Sequence, residues 1–403
     1  MQDNVKITFL GDLMCEGPML SAYKLSSNKY NFDSIFAPTK DFLQRSDYVF
    51  ANLETPISVD NTNLTNEQYR FNTPFEFASA IRNAGINFVA TANNHCLDRD
   101  ILGIDSTIKS LDNAGILHTG TYSKKQKKYS IIEVKGIKFG ILAYTYGTNA
   151  FANNIYLKKR DLWRVNLFQN QELSFFLDQF AHRNPTSIFS KLYTFFLHCK
   201  KSTNINKAVY ERQEFNHRCR KDLLNQIKLL KEEKPDFIIM LMHTGGQYNA
   251  KASPQTQELV SFLQKNDIDI IAGSHEHVVH GIAFNSASQN KIAAYSLGNF
   301  VNLAGSFNEP FNKHANYSIA WNIYLKKNSD STSIDSISYT ILKTIPDDKP
   351  FKVKTALCFD LYRRESNCNK KESLWKDMQF IAKRFSNQEV EEPLEEYFID
   401  LQS

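Results

Sequence analysis

The chain has no hydrophobic run long enough to cross a membrane. No stretch approaches the roughly 18 consecutive apolar residues that a spanning helix needs. The first residues, MQDNVKITFLGD, contain no basic segment followed by an apolar one, so they show no sign of a secretory signal. These absences predict a cytoplasmic protein without a transmembrane segment. Membrane association is the alternative if a leader has been removed.

Cysteine is scarce, and charge of neither sign dominates. The six cysteines are scattered and form no Cys-x-x-Cys pair, which is typical of reduced thiols and argues against a disulfide framework. Lys and Arg number 48 against 43 Asp and Glu, so the net charge is only +5. A balance this mild does not indicate a nucleic-acid partner, and we expect none.

Glycine is absent from residues 151–222, although the chain contains 15 glycines. We interpret this segment, rich in Phe, Leu, Lys, Arg and Asn, as a helical insertion. On either side of it, strand-like and helix-like segments alternate, which predicts a layered α/β fold with central, mainly parallel sheets flanked by helices. We expect a core domain over residues 1–325 and a C-terminal β/helical extension, 326–403, packed on it.

Local signals predict where several elements begin. Thr73 is the expected N-cap of a helix, with Pro74 at the first helical position and Glu76 completing a capping box. From about residue 318, alternating apolar and polar residues predict antiparallel strands. The last segment, 371–402, is charged and is predicted to be helical.

Five short polar motifs follow directly after predicted strands. In an open α/β sheet, ligands bind at the carboxyl ends of the strands, so these motifs are expected to converge on one crevice. A single Asp or His after a strand is usually a turn or cap residue, so the inference depends on the ordered set. The motifs are Gly11-Asp12, Asn52-Leu53-Glu54, Asn93-Asn94-His95-Cys96-Leu97-Asp98, His243-Thr244-Gly245-Gly246 and Ser274-His275-Glu276-His277.

The residue types in these motifs predict a site for divalent metal ions. Two carboxylates, one amide oxygen and three imidazoles form a mixed oxygen and nitrogen set. Such a set suits Mn, Fe or Zn better than Mg or Ca alone. A pair of ions needs a bridging ligand, for which a carboxylate is well fitted, and we expect two ions. The spacing of His275 and His277 places both rings on one side if the segment is extended.

The ordered motifs GD, NxE, NNHxxD, HxGG, HxH and SLGNF resemble those of the CapA-type family of capsule (poly-γ-glutamate) biosynthesis proteins. That family is similar to the calcineurin-like metallophosphoesterase superfamily. The resemblance runs from Ile7 to about Phe300, interrupted by the insertion. It implies metal ligands at six positions, which are Asp12, Glu54, Asn94, His243, His275 and His277.

The same resemblance implies roles for four further residues. His95 matches the residue that contacts a substrate phosphate and assists the leaving group, and Asp98 is expected to orient it. Asn52, and Asn299 in the SLGNF motif, are the expected substrate-binding residues. The pattern departs from ordinary phosphoesterases at Met14, where they carry the His of Asp-x-His. A thioether is a poor ligand for such ions.

Together these features predict a metal-dependent hydrolase or transferase that acts on a phosphoester or an anionic polymer. The alternative is a non-catalytic accessory protein that binds polymer or partner proteins in a capsule-synthesis assembly. A nucleic-acid-binding module would depend only on basic clusters such as Lys158-Lys159-Arg160, and most such clusters are solvated surfaces. We also expect residues 151–222 to cover the metal crevice, with a peripheral packing element as the alternative.

Overall fold

The computed structural model describes residues 4–67, 69–169, 171, 217–284, 290–303, 314–328 and 331–400. The strands within these ranges are β1 (Val5–Leu13), β2 (Lys24–Ser26), β3 (Lys29–Tyr30), β4 (Tyr48–Leu53), β5 (Ile57–Ser58), β6 (Thr73–Pro74), β7 (Phe88–Ala90), β8 (Leu117–Thr119), β9 (Ser130–Val134), β10 (Ile137–Thr145), β11 (Phe237–His243), β12 (Ile270–Ser274), β13 (Val279–Phe284), β14 (Ile292–Leu297), β15 (Asn299–Val301), β16 (Tyr317–Lys327), β17 (Thr332–Pro346), β18 (Val353–Leu357) and β19 (Tyr397–Ile399).

The helices lie between these strands and after them. They are α1 (Gly17–Tyr23), α2 (Asp33–Phe36), α3 (Lys40–Leu43), α4 (Glu76–Asn83), α5 (Asp100–Ala114), α6 (Ala150–Asn153), a 3₁₀ helix (Lys159–Arg164), α7 (217–232), α8 (Pro254–Lys265), α9 (Cys358–Arg364) and α10 (Cys368–Ser386). In the part of the chain that the structure describes, no helix is long and apolar enough to span a membrane.

Two large sheets form the centre of the molecule. The first has the order β18-β17-β16-β1-β4-β7-β8, with β15 also paired to β1 and β19 to β17. Its strands β1, β4, β7 and β8 are parallel, whereas β16 to β19 are antiparallel. The second sheet has the order β13-β14-β12-β11-β10-β9. Its strands β14, β12, β11 and β10 are parallel to one another, whereas β13 and β9 pair with their neighbours in antiparallel fashion. The predicted α/β class with parallel strands at its centre is confirmed.

The two sheets pack face to face and are covered by helices on their outer faces. Phe9 and Phe50 of the first sheet share one buried core with Ile141 and Ile239 of the second. Helices α1 to α5 cover the outside of the first sheet, and α7 and α8 cover the outside of the second. Burying a side chain of this size stabilises the fold by about 1.5–3 kcal/mol. Apolar burial on both faces therefore fixes the strands whose ends carry the polar motifs.

The predicted start of helix α4 at Thr73 is wrong. Thr73 and Pro74 form β6, which pairs in parallel with β5. The Thr73 hydroxyl contacts the Thr55 hydroxyl at 2.7 Å, and its backbone N–H donates to the Pro56 carbonyl. The residue is therefore engaged in strand pairing and does not cap the helix, which begins at Glu76 without a side-chain cap.

The predicted helix over 371–402 is correct only in its first part. Helix α10 ends at Ser386, where Asn387 adopts a left-handed conformation with φ 60°. Tyr397–Ile399 then forms β19, which pairs with β17. The buried side chains of Tyr397 and Ile399 alternate with an exposed one, as expected for a strand with one buried face. An open stretch of β17 provides the partner, and tertiary pairing overrides the helical composition.

Most of the predicted insertion lies outside the described residues. The described parts are residues 151–169, 171 and 217–222, which include the 3₁₀ helix at Lys159–Arg164 and the first residues of α7. Residues 172–216 are not among them. At the other end of the chain, β17 pairs with β16 along its length, so the residues after 325 continue the first sheet.

Candidate metal centre

Strands from both large sheets end at the same crevice, and their carboxyl ends carry the six candidate ligands. The positions are Asp12 in β1, Glu54 directly after β4, Asn94 in the segment after β7, His243 at the end of β11, and His275 and His277 after β12. All six are buried. Parallel strands end at one edge of a sheet, so packing the two sheets face to face brings the two groups of polar ends together.

Glu54 lies at the middle of this cluster. Ligand atoms of Glu54, His275 and His277 all lie within 4.8 Å of one another, and so do those of Asp12, Glu54 and His243. Glu54 Oε1 is 3.5 Å from His243 Nε2 and 3.8 Å from His277 Nε2. One carboxylate therefore belongs to both groups of metal-binding atoms.

Hydrogen bonds orient the ring of His243. Its Nδ1 lies 2.9 Å from the Ser274 hydroxyl, and Ser274 in turn donates to the Met242 carbonyl. Its Nε2 lies 2.8 Å from Oδ1 of Asn94. Asn52 Nδ2 also lies 3.2 Å from His243 Nδ1, and Nε2 is the nitrogen that faces Asn94 and Glu54. Outer contacts of this kind fix the orientation of metal-binding imidazoles.

Asp12 connects the two sheets. Its Oδ1 accepts a hydrogen bond from Asn52 Nδ2 at 2.8 Å, and its Oδ2 accepts one from the His275 backbone N–H at 3.2 Å. Asp12 Oδ2 also lies 3.6 Å from His277 Nδ1. Asn52, expected to bind substrate, thus holds the carboxylate of Asp12.

The rings of His275 and His277 come together, with centroids 5.9 Å apart, but the expected extended backbone between them is wrong. His275 has φ 93° and His277 has φ 57°, so both lie in the left-handed region. Non-glycine residues adopt such a conformation at a cost of about 1–3 kcal/mol, and they cluster at functional sites. The sharp turn, and not alternation along a strand, brings both rings to the crevice.

Asn299 orients His277. Its Oδ1 lies 2.9 Å from His277 Nδ1, and its Nδ2 donates to the carbonyls of His277 and Ala315. Because Asn299 Nδ2 is committed to two carbonyls, its Oδ1 accepts from the ring and leaves His277 Nε2 toward Glu54. The structure therefore gives Asn299 a contact with a candidate ligand.

The electrostatics of the cluster fit a cation. Burial, and then the neighbouring Asp12 charge, raise the pKa of Glu54 well above its usual value. Burial also raises the pKa of Asp12. Burial and the nearby His275 lower the pKa of His277 to about 3 and that of His243 well below its usual value. Neutral imidazoles keep a lone pair for a metal, and a cation would offset the cost of two adjacent buried carboxylates.

Glu54 provides a further sign that a cation fits here. Among the described residues, no N–H or O–H donates a hydrogen bond to either of its buried carboxylate oxygens. A buried carboxylate without donors is costly unless a charge pairs with it. The mixed set of carboxylate, amide and imidazole atoms suits Mn, Fe or Zn.

His95 and Asp98 form a separate pair at the edge of the cluster. His95 Nδ1 lies 2.7 Å from Asp98 Oδ2, which also accepts the Phe71 backbone N–H. The Asp98 Oδ1 accepts a hydrogen bond from Asn153 Nδ2 at 2.9 Å. The ring of His95 packs on that of Phe71, with centroids 4.4 Å apart. Asp98 is thus placed to hold the orientation of the imidazole.

A family profile, described as bacterial capsule synthesis protein PGA_cap, matches residues 6–304, the range that contains all of these side chains. The chain belongs to the PGA_cap family. The CapA-type family expected from the sequence is therefore confirmed.

Two curated relatives of this PGA_cap chain are capsule biosynthesis proteins. The chain is 25% identical over 307 residues to capsule biosynthesis protein CapA of Bacillus anthracis, covering 74% of this chain and 60% of that protein. It is 22% identical over 308 residues to PGA biosynthesis protein CapA of Bacillus subtilis (strain 168), covering 74% and 63%. The chain thus spans less than two thirds of the length of either relative.

Among solved structures, the PGA_cap chain is similar to a calcineurin-like phosphoesterase of Bacillus subtilis. The TM-score is 0.42 and the sequence identity 13%, over 95% of this chain and 98% of that chain.

Several residues at the candidate metal centre of this PGA_cap chain were not identified from the sequence. Tyr146, which follows β10, packs on His275 with ring centroids 4.5 Å apart. Glu16 is intermediate in exposure as a residue, and burial of its carboxyl raises its pKa. Its Oε1 accepts the Leu303 N–H. Asn149, just before the predicted insertion, accepts a hydrogen bond from Asn94 Nδ2. No sequence signal marks these residues, because only packing brings them to the crevice.

Glu276, between the two histidines, faces away from solvent. Its side chain is buried, and Oε1 lies 3.5 Å from His280 Nδ1. A Cβ on Gly245 would lie 2.1 Å from the same oxygen. Glu276 therefore supports the underside of the glycine turn that follows His243.

A groove of about 840 Å³ adjoins the centre on the second-sheet side. Its lining includes Tyr146, Gly245, Arg220 and Phe262. Volumes between about 300 and 1,000 Å³ are typical of small-molecule sites. The groove begins at the ring that packs on His275 and reaches Arg220 of α7.

Proposed function

We propose that this PGA_cap chain is a metal-dependent hydrolase or transferase of capsule-polymer biosynthesis. It would bind two divalent ions, Mn, Fe or Zn, through Asp12, Glu54, Asn94, His243, His275 and His277. The observation that carries this proposal is the position of Glu54, which belongs to two groups of metal-binding atoms at once. A shared carboxylate is the ligand that a pair of ions requires between them.

The ions would supply Lewis acidity and lower the pKa of bound water toward about 7. The chain's own residues would orient the reaction. Asp98 holds His95 through Nδ1, which leaves Nε2 to contact a substrate oxygen and to hold a proton for the leaving group. Ser274 holds the ring of His243 and Asn299 holds that of His277, each with Nε2 toward Glu54. Asn52 would approach the substrate from the same crevice, whereas Asn299, whose amide is committed to His277 and to two carbonyls, would act through His277.

The substrate class is a phosphoester or an acyl linkage in an anionic polymer such as poly-γ-glutamate. The family description and the names of the two curated relatives support a role in capsule synthesis. The groove beside the centre, with Arg220 at its far side, has room for part of such a chain. Partner proteins of a capsule-synthesis assembly belong to the same proposal.

Met14 favours a second candidate, a non-catalytic component that binds polymer or partner proteins. Met14 is buried and stands where phosphoesterases carry a histidine. A thioether binds these ions poorly, so one ion would have fewer ligands. Weaker binding at that position would reduce or abolish turnover while leaving the crevice able to hold an anion.

Metal analysis combined with a substrate screen separates the two candidates. The purified chain would be loaded with Mn²⁺ or Zn²⁺, its metal content measured, and turnover tested on phosphoesters and γ-glutamyl peptides. The enzyme proposal expects about two ions per chain, consistent with a bridging carboxylate, and turnover that Glu54→Gln abolishes. Metal uptake and polymer binding without turnover would favour the accessory role. A chain that takes up neither metal contradicts both the metal centre and the enzyme.

A further inference from the structure

Tyr248, in the turn after β11, lies over the candidate metal centre in a strained conformation. Its φ is 60°, in the left-handed region that bulky residues rarely adopt. Its ring centroid is 5.4 Å from that of His277, and its backbone N–H donates to the Glu276 carbonyl at 2.8 Å. Such strain persists only where surrounding contacts hold the residue in place.

Contacts from the C-terminal helix hold this turn. Nη2 of Arg384, on α10, donates to the carbonyls of Asn249 at 2.7 Å and Ala250 at 2.9 Å. The Asn249 carbonyl also lies 2.9 Å from His280 Nε2. Arg384 is far along the chain from the residues matched by the family profile, which end at 304. An element outside the matched region thus shapes the mouth of the centre.

The hydroxyl of Tyr248 remains a proton donor at neutral pH. An ordinary phenol has a pKa of about 10 and keeps its proton at pH 7, and the ring of Tyr248 lies against that of His277. A phenol that stays protonated beside a cation-binding crevice can donate a hydrogen bond to an oxyanion bound there. The Tyr248 hydroxyl would thus provide a hydrogen-bond donor, whereas the side chains of the candidate ligands provide acceptors.

We propose that Tyr248 donates a hydrogen bond to the oxyanion of the substrate at the metal centre, and that Arg384 is the positioning residue for Tyr248. The inference rests on the proposed metal centre. The shared ligand chemistry is a phosphoryl or carboxylate oxygen. The C-terminal helix then contributes to substrate binding without contacting substrate or metal.

Binding of inorganic phosphate to the zinc-loaded chain tests this proposal. Tyr248→Phe should weaken phosphate binding about tenfold, as expected for the loss of one hydrogen bond to a charged group. Arg384→Ala should weaken it by a similar factor, Arg384→Lys should restore most of it, and zinc content should not change. Arg364→Ala, at an exposed position on α9, is the matched control. A γ-glutamyl dipeptide in place of phosphate shows whether phosphoryl or carboxylate oxygen is preferred.

The double variant separates positioning from general destabilisation. If Arg384 acts through Tyr248, then Tyr248→Phe combined with Arg384→Ala should bind phosphate no more weakly than Tyr248→Phe alone. Additive losses, or unchanged phosphate affinity in either single variant, would overturn the proposal.

A spectroscopic readout keeps this inference separate from the metal proposal. With 3-fluorotyrosine at position 248, the ¹⁹F resonance of the metal-free chain should move in Arg384→Ala and stay near its original position in Arg384→Lys. An unmoved resonance in Arg384→Ala refutes the positioning role. A wild-type chain that takes up no zinc defeats the proposed function, and the ¹⁹F result still decides whether Arg384 positions Tyr248.

Discussion

At the residue scale, the candidate ligands depend on neighbours that hold them in one orientation. Ser274 and Asn299 each bond the Nδ1 of a histidine whose Nε2 faces Glu54. Asn52 bonds the carboxylate of Asp12. Removing such outer contacts typically weakens metal binding 10–100-fold, so these neighbours are part of the function of the site.

Replacing Glu54 tests the centre most directly. Glu54→Gln should weaken metal binding by more than the roughly 10–100-fold expected for an outer contact, because it removes a ligand shared by two groups. Without metal, the variant should unfold at an equal or higher temperature, because a neutral amide replaces the buried carboxyl beside Asp12. Calorimetric metal titration and thermal unfolding measure both effects. Glu372→Gln, at an exposed helical position, is the control, and unchanged metal affinity in Glu54→Gln would refute the site.

Asp98→Asn tests the pair with His95. General acid and base catalysis contributes about 10²–10⁴-fold, so His95→Ala should reduce kcat within that range and Asp98→Asn by a smaller factor. Metal content should remain that of the wild type, because neither residue is a proposed ligand. Asp112→Asn is a matched control. Asp112 lies away from the centre, and its Oδ1 is 3.2 Å from His118 Nε2. Loss of metal in Asp98→Asn would contradict the assigned role.

At the scale of elements, the close approach of two segments fixes Asp12. β1 pairs with β15 so that Asp12 lies opposite Asn299, and the Asp12 N–H donates to the Gly298 carbonyl at 3.0 Å. A Cβ on Gly11 would lie 1.8 Å from the same carbonyl oxygen. Only glycine allows the strands this close, and the approach sets the distance between Asp12 and His277.

Gly11→Ala should therefore damage both stability and metal binding. The overlap with Gly298 should cost at least the roughly 1–3 kcal/mol of an overpacked core, and displacement of Asp12 should weaken metal affinity. Gly136→Ala is the control, because its Cβ would meet nothing within 4 Å and only its left-handed conformation costs about 1–2 kcal/mol. Denaturant unfolding and metal titration test both variants. A Gly11→Ala protein with normal metal affinity would show that the close approach of Gly11 to Gly298 does not control the site.

At the scale of the whole molecule, the buried carboxyls couple metal binding to pH. The pKa values of Asp12 and Glu54 are raised in the folded chain, so their contribution to stability is present at low pH and lost as pH rises through those raised values. Metal binding requires them deprotonated, whereas His243 and His277, with lowered pKa values, are already neutral. Added metal should therefore offset the loss at higher pH.

This coupling is measurable as a shift in Tm. Zn²⁺ should raise Tm more at pH 8 than at pH 5.5, approaching a gain of about 2.7 kcal/mol when free metal is about 100 times Kd. In Glu54→Gln the difference between the two pH values should shrink. Thermal unfolding with and without metal gives the answer. A metal-induced shift that is equal at both pH values would contradict the assignment of buried carboxylates as ligands.

Two features of organisation remain predictions for the whole molecule. One is the division near residue 325, after which the chain continues the first sheet through β17. The other is the insertion at 151–222 as a cover of the crevice. Its described start lies beside the site, since Asn153 donates a hydrogen bond to Asp98, and Asn149, just before the insertion, accepts one from Asn94. These contacts favour an insertion that begins at the mouth of the centre.

The sequence by itself determined the α/β class, the parallel centre and the family, because periodicity and the polar residues after each strand are local patterns. It also marked the motifs that carry Asp12, Glu54 and the three histidines. Local patterns could not show that Thr73 pairs in a strand or that the segment after α10 returns to the sheet. In both cases a partner distant in sequence decided the outcome.

Only the tertiary structure decided how the site is completed. Asn299 bonds His277, Glu276 supports the glycine turn, and Arg384 reaches the turn of Tyr248 from the last helix. These contacts join residues that are far apart along the chain. They exist because two sheets pack face to face and a C-terminal helix lies against their edge. The geometry of that packing depends on the whole buried core, which no single motif encodes.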